Sequence, residues 1–160
     1  MALSDSYANQ YLNFLLSKVS TLTAPNQVWA GLSSNDPDKD KGVFNELSGG
    51  GYARVLISIK GETYPNFINS ASDRAITNGY QIAWPKATLD WTIRGFGLFS
   101  SPTGGSYFYS GAIELTEEQI AAGIDALTVE AGAVALFDPQ TFKISLPETD
   151  ISTAAATVSE

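Results

Sequence analysis

The run from Gly49 to Gly61, GGGYARVLISIKG, constrains this 160-residue chain more than any other stretch. Three consecutive glycines reach backbone conformations closed to other residues, so they act as a hinge. The segment after them is strongly β-prone and closes on another glycine. With a period of two, Ala53, Val55, Ile57 and Ile59 share one face, and Tyr52, Arg54, Leu56, Ser58 and Lys60 share the other. This is a strand with one buried and one mixed face, expected to be the central strand of the fold. Arg54, on the mixed face beside Tyr52, is expected at a surface or an interface, paired with Glu46. The glycines do not cradle a phosphate, because no Lys-Ser/Thr follows them and they precede a strand rather than a helix.

The chain ahead of this strand opens with a helix. Ser4 and Asp5 suit a helix N-terminus. Ala8, Tyr11, Leu12, Leu15, Leu16 and Val19 recur at helical spacing and form one apolar stripe, giving an amphipathic helix over about residues 4–19. Packing of that stripe on the domain's own sheet is the plainer expectation, and docking on a partner subunit is the sharper one. Gln27 to Ser34 reads as a strand. Asn35 to Gly42 is a polar loop whose Asp36, Asp38 and Asp40 alternate like the start of a calcium-binding loop. The glycine falls one place late, at Gly42, the closing acid is replaced by Leu47, and Lys39 and Lys41 offset the acids. A solvated loop is therefore expected, with calcium as a minor reading.

Beyond the central strand, Glu62 to Ser70 is half-extended, with Pro65 marking an edge. Ser70 to Asn78 reads as polar and turn-like, and Gly79 to Trp84 alternates as a strand. In the β run from Leu89 to Ser100, Gly95 and Gly97 share one face and Phe96 and Leu98 the other. Two glycines on one strand face imply a bulge or the close approach of another backbone or ring. Ser101 to Ser106 is a hairpin loop and Tyr107 to Glu114 its return strand. Thr116-Glu117-Glu118-Gln119 fits a capping box ahead of one or two helical turns ending near Gly123. Leu127 to Glu130, Ala133 to Phe137 and Thr141 to Leu146 are three further short strands. About eight or nine strands with regular turn signals indicate an all-β, antiparallel β sandwich, jelly-roll-like, preceded by the helix. Residues 1–147 are expected to form one domain, and 148–160 a flexible tail or an arm.

Composition excludes several chemistries. The chain has no cysteine and no histidine, so thiol nucleophiles, thiolate zinc sites, histidine metal cages and a Ser-His-Asp triad cannot be built. A net charge of −8 disfavours nucleic acid and anionic membranes as partners. Neither a secretory signal nor a membrane span is apparent. Among the carboxylates, Glu46, Glu62, Asp73 and Asp90 are present, but no spacing marks any two as a hydrolytic pair. No catalytic residue, metal site or cofactor is assigned. The aromatics Trp29, Tyr64, Tyr80, Trp84, Trp91, Tyr107 and Tyr109 are many for a small domain. They either fill the core or, if exposed beside Asn and Asp, form a sugar-binding face.

The order of certain segments carries a resemblance. These are the opening helix SDSYANQYLNFLL, Val28 to Ser33, the Asn35-Asp36-Pro37 loop, Phe44 to Val55 and, later, Gly95 to Phe99. A strand ending in GLS, an acidic loop, Glu46-Leu47-Ser48-Gly49-Gly50 and then Tyr52-Ala53-Arg54 is the most specific part. Over most of the chain, to about residue 146, it resembles a family of tailed-bacteriophage virion proteins, tail-fibre-like or capsid-decorating. The resemblance implies a non-enzymatic β domain displayed on a virion and made in the host bacterial cytoplasm. It also implies contact with major capsid or tail proteins and assembly as a homo-oligomer, a trimer foremost. Tyr11, Leu15, Tyr52 and Arg54 are the interface residues expected on this reading. A carbohydrate-binding module for host recognition is the alternative from another class, and an acidic-pair hydrolase is a third.

Overall fold

The computed structural model describes residues 2–16, 18, 20–21, 23–40, 43–69 and 75–145. The expected tail, 148–160, and Asp73 lie outside them. The chain is antiparallel β with a helix near its start, as expected, and the helical turns expected after Thr116 form a second short helix.

Strand β1 (Ala2–Leu3) leads into helix α1 (Asp5–Leu15). Ser4 occupies the N-cap position, but its side chain makes no capping bond; its carbonyl accepts the Ala8 N–H. The helix ends at Leu15, short of the expected Val19. The Lys18 N–H returns to the Asn13 carbonyl and closes the turn early. The Ser/Thr-rich sequence that follows is poor helix former, which fits this early stop.

Strands β2 (Gln27–Ser33), β3 (Val55–Ile59), β8 (Gly95–Phe99) and β9 (Tyr109–Ala112) join β1 in a five-stranded sheet ordered β1-β9-β8-β2-β3. The strand after the glycine hinge, expected at the centre, is therefore an edge strand. The centre belongs to β8, buried at every residue. Its glycines explain the exchange. A Cβ on Gly97 would lie 2.8 Å from the Phe44 ring, and one on Gly95 would strike the Pro37 ring. Of the bulge or close approach expected, it is the close approach that is observed, and it comes from the acidic loop and its continuation folding over β8.

The remaining strands are β4 (Phe67–Asn69), β5 (Ala75–Asn78), β6 (Ile82–Ala83), β7 (Trp91–Ile93), β10 (Leu127–Val129), β11 (Leu136–Phe137) and β12 (Lys143–Ser145). They pair as β12-β5-β4, β11-β6 and β10-β7. The register holds to within one residue from Ala75↔Ser145 through Ile82↔Phe137 to Ile93↔Leu127. Residues 75–93 and 127–145 thus form one long antiparallel ribbon interrupted by turns. These four sheets do not by themselves define a two-layer jelly roll.

Strand β5 corrects the turn-like reading of Ser70 to Asn78 over Ala75–Asn78; residues 70–74 lie outside the described ones. Asn78 is fully buried and acts as a hub. Its Nδ2 donates to the carbonyls of Tyr80 at 2.6 Å and Asp138 at 2.9 Å, and its Oδ1 accepts the Phe142 N–H at 2.9 Å. A polar residue in a core persists when its donors and acceptors are paired in this way. Leu32, Ile57, Ile82, Trp84, Trp91, Ile93, Phe96, Leu98 and Phe142 build one apolar core that draws on both the five-stranded sheet and the ribbon. The expected capping box is present: Thr116 Oγ1 accepts the Gln119 N–H, and Gln119 Oε1 accepts the Thr116 N–H. It starts α2 (Glu117–Ala121), which buries none of its residues.

Candidate assembly surface and its supporting clasp

The glycine hinge places three side chains where they meet. All three glycines have positive φ, between 59° and 77°, a region that costs an L-residue energy. The turn they make brings Tyr52 and Arg54 back over Glu46, which is bridged to Ser33 at the end of β2. Arg54 Nε and Nη2 donate to Glu46 Oε1 and Oε2, each at 2.7 Å. Nη1 donates to the carbonyls of Ser101 at 2.9 Å and Gly104 at 2.8 Å. The guanidinium stacks 3.3 Å from the centre of the Phe99 ring. This bidentate, fork-to-fork geometry is the strong form of the ion pair.

Arg54 pairs with Glu46 as the sequence suggested, yet it is not at the surface: its side chain is 4% exposed and that of Glu46 28%. Tyr52 completes the cluster. Its hydroxyl donates to Glu46 Oε1 at 3.0 Å and accepts the Leu32 N–H at 2.9 Å. Burial pushes the Tyr52 hydroxyl well above the ordinary tyrosine range, and the Glu46 carboxylate adds to the rise against the opposing pull of the Leu32 N–H and Arg54. A phenol held protonated and a carboxylate locked to arginine form a clasp. It ties the hinge, β2 and the β8–β9 loop into one unit. Gly31 makes room for it, since a Cβ there would lie 2.8 Å from Phe99 and 2.9 Å from the Tyr52 hydroxyl.

The alternating acids diverge. Asp36 accepts the N–H groups of Asp38 and Lys39 and pairs with the Lys39 ammonium at 3.3 Å. Asp38 accepts the Ala112 N–H and Asp40 the Asn35 side-chain amide. Burial raises the Asp36 carboxyl, but the Lys39 and Asp38 N–H groups and the Lys39 charge together bring it below its usual value. Among the described residues, no group of three or more acids or histidines is placed to hold a metal. The carboxylates weighed as a hydrolytic pair are also dispersed. Glu46 is in the clasp, Asp90 accepts the Ala131 N–H at 2.8 Å, and Glu62 is exposed. A cleft of about 380 Å³ lies between Asp38, Phe96, Glu114, Phe142 and Lys143.

Of the seven aromatics weighed as a sugar platform, Trp84, Trp91 and Tyr109 are buried, and Trp29, Tyr80 and Tyr107 are half-buried. Tyr64 alone is exposed, its ring edge-on to Tyr80 at 4.9 Å. Tyr80 is held inward by a hydrogen bond to the Ile57 carbonyl, and burial raises its pKa.

Helix α1 behaves differently from the clasp. It is attached at its start, where β1 pairs with β9 and the Ser4 N–H donates to the Phe108 carbonyl at 3.0 Å. The Tyr7 ring lies 5.0 Å from that of Phe108. Past that point its apolar stripe leaves the domain. Tyr11, Leu12, Phe14, Leu15 and Leu16 are all exposed, so the expected packing on the domain's own sheet does not occur. Tyr11 and Leu15 therefore face solvent, whereas Tyr52 and Arg54 are engaged within the chain. Phe14, which widens the exposed face, lies off the stripe read from spacing. Among the described residues, no helix is long and apolar enough to cross a membrane.

A comparison with curated proteins finds no match. A comparison with protein families matches residues 2–136 to the family described as Podophage GP4 fiber I protein gp80.

Proposed function

The chain belongs to the podophage GP4 fiber I protein gp80 family, and from that membership we propose that it is a non-enzymatic, tail-associated fibre component of a bacteriophage particle. A virion structural protein of the fibre type is what the family itself supplies. The tail position is the finer step, and the fibre designation of the matched family carries it, since the match spans α1 and most of the β domain. The neighbours on the particle are then other virion proteins of the tail, reached through the surfaces that the domain leaves apolar.

The side chains support a scaffold rather than chemistry. Glu46 is locked to Arg54, Asp36, Asp38 and Asp90 accept backbone N–H groups, Asp40 accepts the Asn35 side-chain amide, and the raised tyrosines hold their protons. Capsid decoration is the second placement for the same structural role. Host-glycan recognition rests on Tyr64 with Tyr80 behind it, a narrow platform for a sugar ring.

Electron microscopy of the parent particle with gold-labelled antibody to this chain tests the placement. Label along tail-attached fibres is expected. Label over the capsid lattice transfers the chain to decoration, and a particle without label removes the structural role. Binding on a glycan array that is lost in Tyr64→Ala would establish the recognition reading instead.

A further inference from the structure

Asn78–Gly79 is the one place in the chain where glycine follows asparagine. The pair is chemically labile, because no side chain on the glycine crowds an attack by its nitrogen on the asparagine Cγ. In that attack a new C–N bond closes a cyclic imide. The Cγ–Nδ2 bond breaks, and the amide leaves as ammonia, carrying the proton of the attacking nitrogen. Water then opens the imide at either carbonyl. The products are aspartate, or isoaspartate with the backbone routed through the former side chain. No oxidant, reductant or cofactor takes part.

The fold holds both reacting groups apart. Asn78 ends β5 and is fully buried. Its Nδ2 donates to the Tyr80 and Asp138 carbonyls, and its Oδ1 accepts the Phe142 N–H. Its backbone is held as well: the N–H donates to the Phe142 carbonyl at 3.2 Å, and the carbonyl accepts the Gln140 N–H at 2.8 Å. The attacking nitrogen, that of Gly79, donates its proton to the Asn66 carbonyl at 3.4 Å. Swinging the Asn78 amide onto that nitrogen breaks three side-chain hydrogen bonds at once inside the core, where each group left unpaired is costly. Asp138, Gln140 and Phe142 lie on the segment that leads into β12. The amide is therefore released only when β5 and β12 part.

Neither product suits the site. Asn78 gives two N–H donors to two carbonyls, whereas a carboxylate only accepts. Aspartate would set a buried charge against both carbonyl oxygens. Isoaspartate adds a backbone atom at the end of β5 and disturbs the register that puts Ile76 opposite Ile144.

We propose that Asn78–Gly79 is a modification site that acts as a covalent latch on unfolding. The amide persists while β5 and β12 are paired. In an opened chain it converts to aspartate or isoaspartate, and the converted chain does not regain the fold. An opening that outlasts the reaction then removes the chain from the folded pool for good, which makes its lifetime a matter of opening kinetics. The inference rests on the β domain alone and is independent of where a particle carries the chain.

The full chain, held in mildly alkaline buffer either native or in denaturing urea, tests this, with residue 78 read by peptide mass mapping. A native chain is open for only about 10⁻³ of the time or less, so conversion is expected to be about 10³-fold slower than in urea, or slower still. When the urea is diluted after increasing times, the folded fraction, read by near-ultraviolet dichroism, is expected to fall in step with conversion. The chains that refold should retain asparagine. Asn78→Asp, made directly, is expected to lack the native aromatic signal or to melt well below the wild type. Conversion at a comparable rate in native and unfolded chains overturns the proposal. So does aspartate or isoaspartate at position 78 in the refolded pool, or a wild-type melting temperature in Asn78→Asp.

Discussion

Removing Glu46 should damage this protein more than removing Arg54, although the two form one ion pair. Glu46→Ala leaves a guanidinium that is 4% exposed without its anion. Breaking a buried pair in this way costs about 3–5 kcal/mol. The lower end applies, because Arg54 keeps the Ser101 and Gly104 carbonyls and the face of Phe99, so a loss of about 3 kcal/mol is expected. Arg54→Met leaves a carboxylate that is 28% exposed. Glu46 then turns to water and keeps the Tyr52 hydroxyl, while methionine refills part of the volume. The charge-assisted bonds lost there put the cost at about 2 kcal/mol. In the double variant no charge is stranded, so its cost should fall at least 1 kcal/mol below the sum of the singles, roughly the coupling of residues in contact. Against a total stability of about 5–15 kcal/mol these differences are large. At this chain length, about 2–4 °C per kcal/mol, Glu46→Ala should melt about 6–12 °C below the wild type. Urea unfolding of the four proteins at one fixed concentration reads all the terms, since any self-association makes stability concentration-dependent. Additive single variants, or a larger loss in Arg54→Met than in Glu46→Ala, would refute the account of the clasp.

Gly97→Ala should destabilise by about 1–3 kcal/mol through overpacking against Phe44. Phe44→Leu in the same chain should recover part of that loss, and denaturant unfolding that shows no recovery would place the strain elsewhere. For Tyr52 and Tyr80 the folded pKa lies above the unfolded value of about 10. Their stabilising effect is therefore whole below pH 10 and is lost as pH rises past it, because the unfolded chain releases protons that the native state keeps. Absorbance at 295 nm, followed with circular dichroism, should show the last tyrosines ionising only as the fold is lost; ionisation of every tyrosine before any change in dichroism contradicts this. Millimolar calcium should leave the melting temperature unchanged, since Asp36, Asp38 and Asp40 each serve a different partner. A rise that chelator reverses would mean that the loop rearranges around the ion.

Local signals were legible where the chain's own chemistry produces them. Strand β2, the hairpin of β8 and β9, and the capping box of α2 follow from alternation, turn residues and the Thr116-to-Gln119 spacing. The paired glycines of β8 announced a bulge or the close approach of a backbone or ring, but not that Pro37 and Phe44 would make the approach, because both belong to a segment some fifty residues earlier. Strand β5 stayed hidden, since its pairing to β12 depends on Asn78, and a polar residue reads as a turn until its distant partners are known.

The Gly49–Gly61 run shows the same division. Its glycines, its alternation and the pairing of Arg54 with Glu46 were fixed by residue type and short spacing. That β3 is an edge strand, and that Arg54 is buried beneath the β8–β9 loop, depended on contacts across the fold. Helix α1 divides likewise. The amphipathic stripe is a property of its sequence, because a 3.6-residue period puts those side chains on one side. Whether the stripe met the domain or solvent was settled by β1, whose pairing to the β9 edge sends the helix away from the core. Periodicity specifies a face, and only the path of the backbone specifies what that face touches.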